Sequence, residues 1–250
     1  MDMNLPSHFG FGFAYFFSSY KNISSIVEHG HLSRGEVVSN PDIVWDDIAP
    51  RKDHLDIRKK IELFISLYFG THTATQFRHE QDDTKIAFIR YDADELFQRE
   101  RAWFTEIAYQ MATKSQIWRC RVGSEKLEKL GWGLINSQRG FRSKGPNSDE
   151  WAKAQAELLV DEKIEPSKIL DIVFCSQQEK NDYLNHFGAP FNEFDEPINC
   201  IVNEELFIKT KCRKCDSIGN ITIQDYKRQW CADCEHYVDF FGRYGRYRQK

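Results

Sequence analysis

Two groups of residues in this 250-residue chain have the types and spacing that chemistry requires. The first centres on Glu157, which lies inside the apolar run AQAELLV (154–160) directly after a long polar stretch. Carboxylates are rarely buried without a partner. One placed in such a run is a candidate for stabilising positive charge or moving a proton. Gln155 stands two residues earlier, and on a strand positions i and i+2 share a face, so an amide and a carboxylate would face one cleft. The same residues also suit an amphipathic helix over 149–160 with Glu157 on its wet side, because short apolar runs do not separate helix from strand. The second group is Cys212, Cys215, Cys231 and Cys234, a C-x2-C-x15-C-x2-C pattern. This is the spacing of a four-thiolate zinc ribbon, in which each CxxC grips one edge of the metal and the intervening segment forms a hairpin. A disulfide framework is the rival reading, but an intracellular chain of this size does not need one. Many such zinc ions only fold a module too poor in core to stand alone.

Other residues are weaker signals taken singly. Arg51 follows Pro50 in a polar loop, and its guanidinium fork suits a diphosphate, although most arginines are simply exposed. Tyr68 and Phe69 end an apolar run and would either stack on a planar ring or fill the core. The N-terminal FGFGF lacks the spacing and context of a dinucleotide-binding glycine loop. The chain contains no P-loop, no G-x-S-x-G elbow and no HExxH, which disfavours NTPase, esterase and zinc-protease chemistry.

The elements that must position these residues are strands and helices intermixed, without regular βαβ alternation. A short helix is expected from Asn22, as N-cap, to Gly30 just beyond its end. Residues 31–60 are polar and loop-like. Strands are expected over 61–69, 86–91 and 116–122, and helices over 92–103 and 125–130. The segment 133–150 is long and polar, with three glycines, one proline, Arg139, Arg142 and Lys144; a loop of that length inside a domain is usually functional or disordered. Two more apolar runs, 154–160 and 169–175, close a first domain over 1–175. A helical connector over 176–205 and a zinc ribbon with a basic, aromatic tail over 206–250 follow.

Charge divides the chain in the same place. The net charge is -4 and the isoelectric point about 6.1. Residues 206–250 hold ten Lys and Arg against five Asp and Glu, or +5, which leaves 24 against 33, or -9, for the remainder. The last eleven residues, 240–250, have four basic residues, four aromatics and no acid, a composition suited to an unpaired nucleic-acid strand. It equally suits a solvated tail or a docking surface for an acidic partner. Mean hydropathy is -0.60. No apolar run approaches the roughly 18 residues of a membrane span, and no secretory signal is recognisable. A cytoplasmic protein with no membrane partner is expected.

Taken together, these segments resemble the DarT-like ADP-ribosyltransferases, toxins that modify bases of nucleic acid. Tyr15, Ser18, Asn22, Ile23, Ile26 and Gly30 fall in register with the family's first motif. Ile48-Ala49-Pro50-Arg51 matches its I-x-x-R loop, Tyr68-Phe69 its Y-F strand end, and Gln155-Ala156-Glu157-Leu158-Leu159-Val160 its glutamate element. Phe16 stands where the family has histidine, and Gly70–Thr75 replaces its proline-methionine patch.

The resemblance implies an α+β fold, with the split, bent β-sheet core of ADP-ribosyltransferases, flanking helices, and an added C-terminal zinc ribbon. It implies NAD+ as substrate, with Glu157 and Gln155 catalytic, and Tyr15, Ser18, Asn22, Arg51 and Tyr68 around the dinucleotide. It places Arg139, Phe141 and Arg142 at the substrate, a base of single-stranded DNA or RNA, and implies an antitoxin partner in a toxin-antitoxin or phage-defence system. Alternatives are a zinc-ribbon nucleic-acid-binding protein whose first domain is inactive, and an ADP-ribosyltransferase that modifies protein.

Overall fold

A computed structural model describes residues 3–43, 45–46, 63–81, 85–135, 149–208, 212, 214–215, 221–223 and 228–239. The elements follow from local sequence signals. Strand β1 (Phe13–Ser19) runs into helix α1 (Tyr20–His29), whose N-cap is Ser19, its side chain accepting the Asn22 N–H. Asn22 is therefore inside the first turn and is not the cap. Gly30, at φ 82°, ends the helix as the sequence implies. The expected loop over 31–60 contains helix α2 (Arg34–Ser39), started by a reciprocal capping box between Ser33 and Glu36.

Strand β2 (Ile65–Tyr68), helix α3 (Ala74–Gln81) and strand β3 (Ile86–Asp92) follow. The helix expected over 92–103 is much shorter. Asp92 caps α4 (Ala93–Phe97), and the chain then turns into strand β4 (Ala102–Thr105), because Ala102 and Phe104 are buried between neighbouring strands. Strand β5 is confined to Ile117–Arg119, and the helix expected over 125–130 is a 3-10 helix, Ser124–Lys129, with Leu130 as its C-cap. Short helices α5 (Trp132–Ile135) and α6 (Asp149–Lys153) flank residues 136–148, which lie outside the described residues. The two readings of 149–160 both contain part of the answer: helix stops at Lys153, and Glu157–Val160 is strand β6. Strand β7 (Ile169–Phe174) is next. Residues 176–205 supply helix α7 (Gln177–Phe187) and also an unexpected strand, β8 (Asn199–Val202).

The first eight strands form one sheet in the order β5-β4-β6-β2-β1-β3-β7-β8, antiparallel throughout except for β7 beside β8. β1 and β3 share seven register pairs, whereas β1 and β2 share one, Tyr15↔Tyr68. The sheet is thus split along the β1–β2 seam, as the α+β reading implies. Its two faces differ. One face carries Ala14, Leu67, Ile89, Phe104, Leu158 and Phe174 into the main core, where Ile23 and Ile26 of α1 cover them. The other carries Phe17, Phe88 and Val173 in a smaller cluster capped by Phe207. Three further strands, β9 (Ile221–Ile223), β10 (Arg228–Cys231) and β11 (His236–Asp239), form a separate antiparallel sheet in the cysteine-bearing segment.

Candidate active site

The second face of the sheet carries a transverse row of polar side chains, one from each of several strands. Directly opposed residues of paired strands point to the same face. Glu157 of β6 opposes Tyr68 of β2, Tyr68 opposes Tyr15 of β1, Tyr15 opposes Arg90 of β3, and Arg90 opposes Asp171 of β7. At about 4.8 Å per strand, the two strands that carry the end carboxylates run roughly 19 Å apart.

Glu157 is 5% exposed. One carboxylate oxygen, Oε2, accepts the Ser66 hydroxyl, and the other, Oε1, accepts the Tyr109 backbone N–H at 3.0 Å. Its own N–H donates to Thr105 Oγ1 at 3.1 Å, and the Thr105 hydroxyl donates onward to the Ile107 carbonyl at 2.6 Å. Burial pushes the carboxyl up to about 7, although the Ser66 and Tyr109 donors favour its ionised form. A carboxylic acid that changes protonation near neutrality is able to act as anion and as proton acceptor at working pH. Tyr68 lies stacked against Phe17, with ring centroids 5.7 Å apart and planes 17° apart. Burial raises its phenol, and the nearby Glu157 charge raises it further.

At the far end of the row, Arg90 Nε donates to Asp171 Oδ1 at 2.7 Å and Nη2 to Oδ2 at 2.5 Å. Arg90 also lies 4.3 Å from the centre of the Phe13 ring and hydrogen-bonds the Tyr15 hydroxyl. Beside Tyr15 is a cleft of about 270 Å³, bordered by Gly10, Gly12, Phe13, His72 and Leu206. It lies along the row from Glu157 and does not include that carboxylate in its lining.

The structure brings Tyr15, Tyr68 and Glu157 together and separates Ser18 and Asn22 from them. Ser18 opposes Ala87, a residue of the main core, so it faces the other side of the sheet. There Asn22 Nδ2 donates to Ser18 Oγ and to the Asp46 carbonyl, each at 2.8 Å, while Asn22 Oδ1 accepts the Asp46 N–H at 2.7 Å. These contacts fasten the chain at Asp46 to α1. Gln155 lies in the turn before β6, so the strand alternation that would put it on the Glu157 face does not operate. Arg51, Arg139, Phe141 and Arg142 lie outside the described residues.

Four contributors escape the sequence reading: Ser66, Arg90, Asp171 and the Tyr109 N–H. Ser66 had a usable signal, since it stands two residues before Tyr68 in a strand and therefore on the same face. Arg90 and Asp171 had the signal that marked Glu157, a charge inside an apolar run. The Tyr109 N–H had none, because a backbone donor is available at almost any residue.

In the C-terminal segment, the ligand atoms of Cys212, Cys215, Cys231 and Cys234 all lie within 4.8 Å of one another. Cys212 and Cys234 sulfurs are 3.5 Å apart and those of Cys215 and Cys231 3.4 Å. Sulfurs about 2.3 Å from a tetrahedral zinc would be separated by slightly under 4 Å, so the donor set and its size fit that metal. No described helix is long and apolar enough to cross a membrane.

A family model described as "ssDNA thymidine ADP-ribosyltransferase, DarT" matches residues 15–208. Comparison with curated proteins finds no match. Among solved structures, the chain resembles Thermus sp. 2.9 DarT in complex with NAD+ at 15% identity and a TM-score of 0.58, covering 79% of this chain and 98% of that one. The same protein in complex with ADP-ribosylated ssDNA matches at 16% identity and 0.60, covering 83% and 100%. Thermosipho africanus DarTG in complex with ADP-ribose matches at 18% identity and 0.58, covering 79% of this chain and 51% of that one. At these identities the likeness is one of fold.

Proposed function

The chain belongs to the DarT family of ssDNA thymidine ADP-ribosyltransferases, and from that membership we propose that it transfers ADP-ribose from NAD+ to a thymidine base of single-stranded DNA, with Glu157 as the catalytic carboxylate. The observation that carries this reading is the buried Glu157, held by neutral donors in register with two tyrosines across the split seam. Transfer breaks the bond from ribose C1″ to nicotinamide and develops positive charge on the sugar, which a carboxylate in a dry site stabilises. The same carboxylate, ionised in part at neutral pH, accepts the proton that the attacking base nitrogen loses. Tyr68 presents a ring for stacking on nicotinamide, backed by Phe17. Tyr15 borders the cleft beside it. Arg51 is proposed to hold the diphosphate, with Arg139, Phe141 and Arg142 meeting the DNA strand. DNA is favoured over RNA by the family description.

Cys212, Cys215, Cys231 and Cys234 are proposed to hold a structural zinc. Binding by four thiolates lowers the +5 of residues 206–250 to +3, still suited to a phosphate backbone. Growth arrest by the unrestrained enzyme, with a cognate antitoxin to check it, is proposed from the similarity to a structure named DarTG; a role in phage defence would follow from that. In the test, the protein is incubated with labelled NAD+ and oligonucleotides with or without thymidine. Label should enter the thymidine-containing single strand and be lost at least about 100-fold in Glu157→Ala, the scale of removing one group that stabilises transition-state charge. Label on protein, or equal activity in the variant, overturns the assignment.

A further inference from the structure

The donor that orients the proposed catalytic carboxylate comes from a neighbouring strand and not from the Q-x-E element itself. We propose that Ser66 is a positioning residue of this site, its hydroxyl on Oε2 and the Tyr109 N–H on Oε1 together fixing the plane of the Glu157 carboxylate. The proposal rests on the reading of Glu157 given above and names a residue that acts through it.

A carboxylate offers about four acceptor sites on two oxygens. A single donor would leave the group free to swing about its last torsion, which is broad and soft. Here each oxygen has its own donor, and the donors come from opposite sides, β2 and the turn after β4. The end of β4 also holds the Glu157 backbone, through Thr105 Oγ1, and the Thr105 hydroxyl is tied in turn to the Ile107 carbonyl of that turn. Ser66 is the side-chain contact that completes the clamp from the other strand. Its position is imposed by pairing: Ser66 opposes Leu159, two residues from Glu157 on the same face, and so reaches the carboxylate diagonally. Because the hydroxyl is neutral, it orients the carboxylate and favours its ionised form without cancelling the charge that the reaction uses. The spacing Ser66-x-Tyr68 thereby puts a carboxylate-orienting donor and a stacking ring on one short strand.

Among the described residues, the titratable groups facing Glu157 are the phenols of Tyr68 from β2 and Tyr109 from the turn, both raised by burial and by the Glu157 charge. Both stay neutral through the working range. Glu106, next to Thr105, is paired with Lys153 at 3.9 Å. Of Glu157 and these two phenols, Glu157 is the group that changes charge in the working range.

The test compares wild type, Ser66→Ala and Ser66→Thr. Loss of the donor should lower kcat by about 100-fold, as a misplaced reactive group does, with KM for NAD+ within about twofold. The acid limb of the pH–rate profile should move up by about one pH unit, since a donor to the charged form has been removed. Ser66→Thr, which keeps the hydroxyl, should restore both. An NMR titration of the Glu157 carboxyl, in wild type and Ser66→Ala, reads the same shift without any turnover. An unmoved titration midpoint in a folded Ser66→Ala protein overturns the proposal, as does a kcat loss that Ser66→Thr fails to rescue. If the midpoint moves but wild type does not cleave NAD+, the positioning contact stands and the proposed function fails.

Discussion

Two carboxylates end the same row of side chains, nearly equally buried at 5% for Glu157 and 8% for Asp171, yet they are held in opposite ways. Asp171 has a guanidinium on both oxygens, and Arg90 in turn has a ring and a phenol around it. Glu157 has a hydroxyl and a backbone N–H, and among the described residues no cation pairs with it. Burying a charge is costly, and a bidentate arginine offsets much of that cost. Neutral donors offset less, and the carboxyl responds by holding its proton to about 7. The lesson is that burial alone does not mark a functional carboxylate. Burial without a counter-charge does, because such an arrangement sacrifices stability for reactivity.

That contrast breaks most visibly at the paired end. Asp171→Asn should leave Arg90 charged, half-buried and short of its partner, costing about 3 kcal/mol in stability. Chemical denaturation of the purified variant measures this. Replacing both members, as Arg90→Met with Asp171→Leu, should recover most of the loss, because two well-packed apolar side chains need no compensation. If Asp171→Asn unfolds at the wild-type denaturant concentration, the pair is not the structural end of the row.

The unpaired end should respond with the opposite sign. In the unfolded chain the Glu157 carboxyl ionises near its ordinary 4.5, whereas in the fold it keeps its proton to about 7. Wild-type stability therefore declines as pH rises from about 4.5 to 7 and then levels off. Glu157→Gln is immune to that decline. Its stability relative to wild type should rise across the window by at most about 3 kcal/mol, from 1.36 kcal/mol per pH unit. Melting temperatures of both proteins at pH 4.5 and pH 8 test this directly. A gap that does not change with pH would mean that Glu157 is not destabilised by burial.

The sequence made one end of this comparison legible and hid the relation between the ends. Glu157 stood out because a charge within AELLV is anomalous, and the same anomaly marks Arg90 in IAFIRY and Asp171 in ILDIVF. Which anomalies pair is a matter of register across five strands, and no local pattern contains that. Local signals also mislead where tertiary pairing overrides them. DADELFQRERAW reads as one charged helix, but burial of Ala102 and of Phe104 just beyond it draws its end into the sheet. β8 is four residues long and lies at the edge, so its pattern is too short to announce a strand. The four cysteines were legible for the opposite reason, since metal spacing is written in the chain itself.

Tyr15 stands between the two ends, and its smaller effect shows to which of them each part of the side chain belongs. The hydroxyl is bonded to Arg90, so it is part of the paired, structural end. The ring borders the cleft and lies in register with Tyr68, so it is part of the proposed dinucleotide site. Tyr15→Phe removes only the hydroxyl and should cost about 1 kcal/mol in stability, the usual worth of such a hydrogen bond, with KM for NAD+ within about twofold. Tyr15→Ala removes the ring as well and should raise KM for NAD+ by roughly tenfold or more, a loss of binding of about 1.4 kcal/mol. Equilibrium unfolding and initial rates on the two variants separate these contributions. Should Tyr15→Phe raise KM as far as Tyr15→Ala does, the hydroxyl serves the substrate, and the boundary drawn through this side chain would have to move to Arg90.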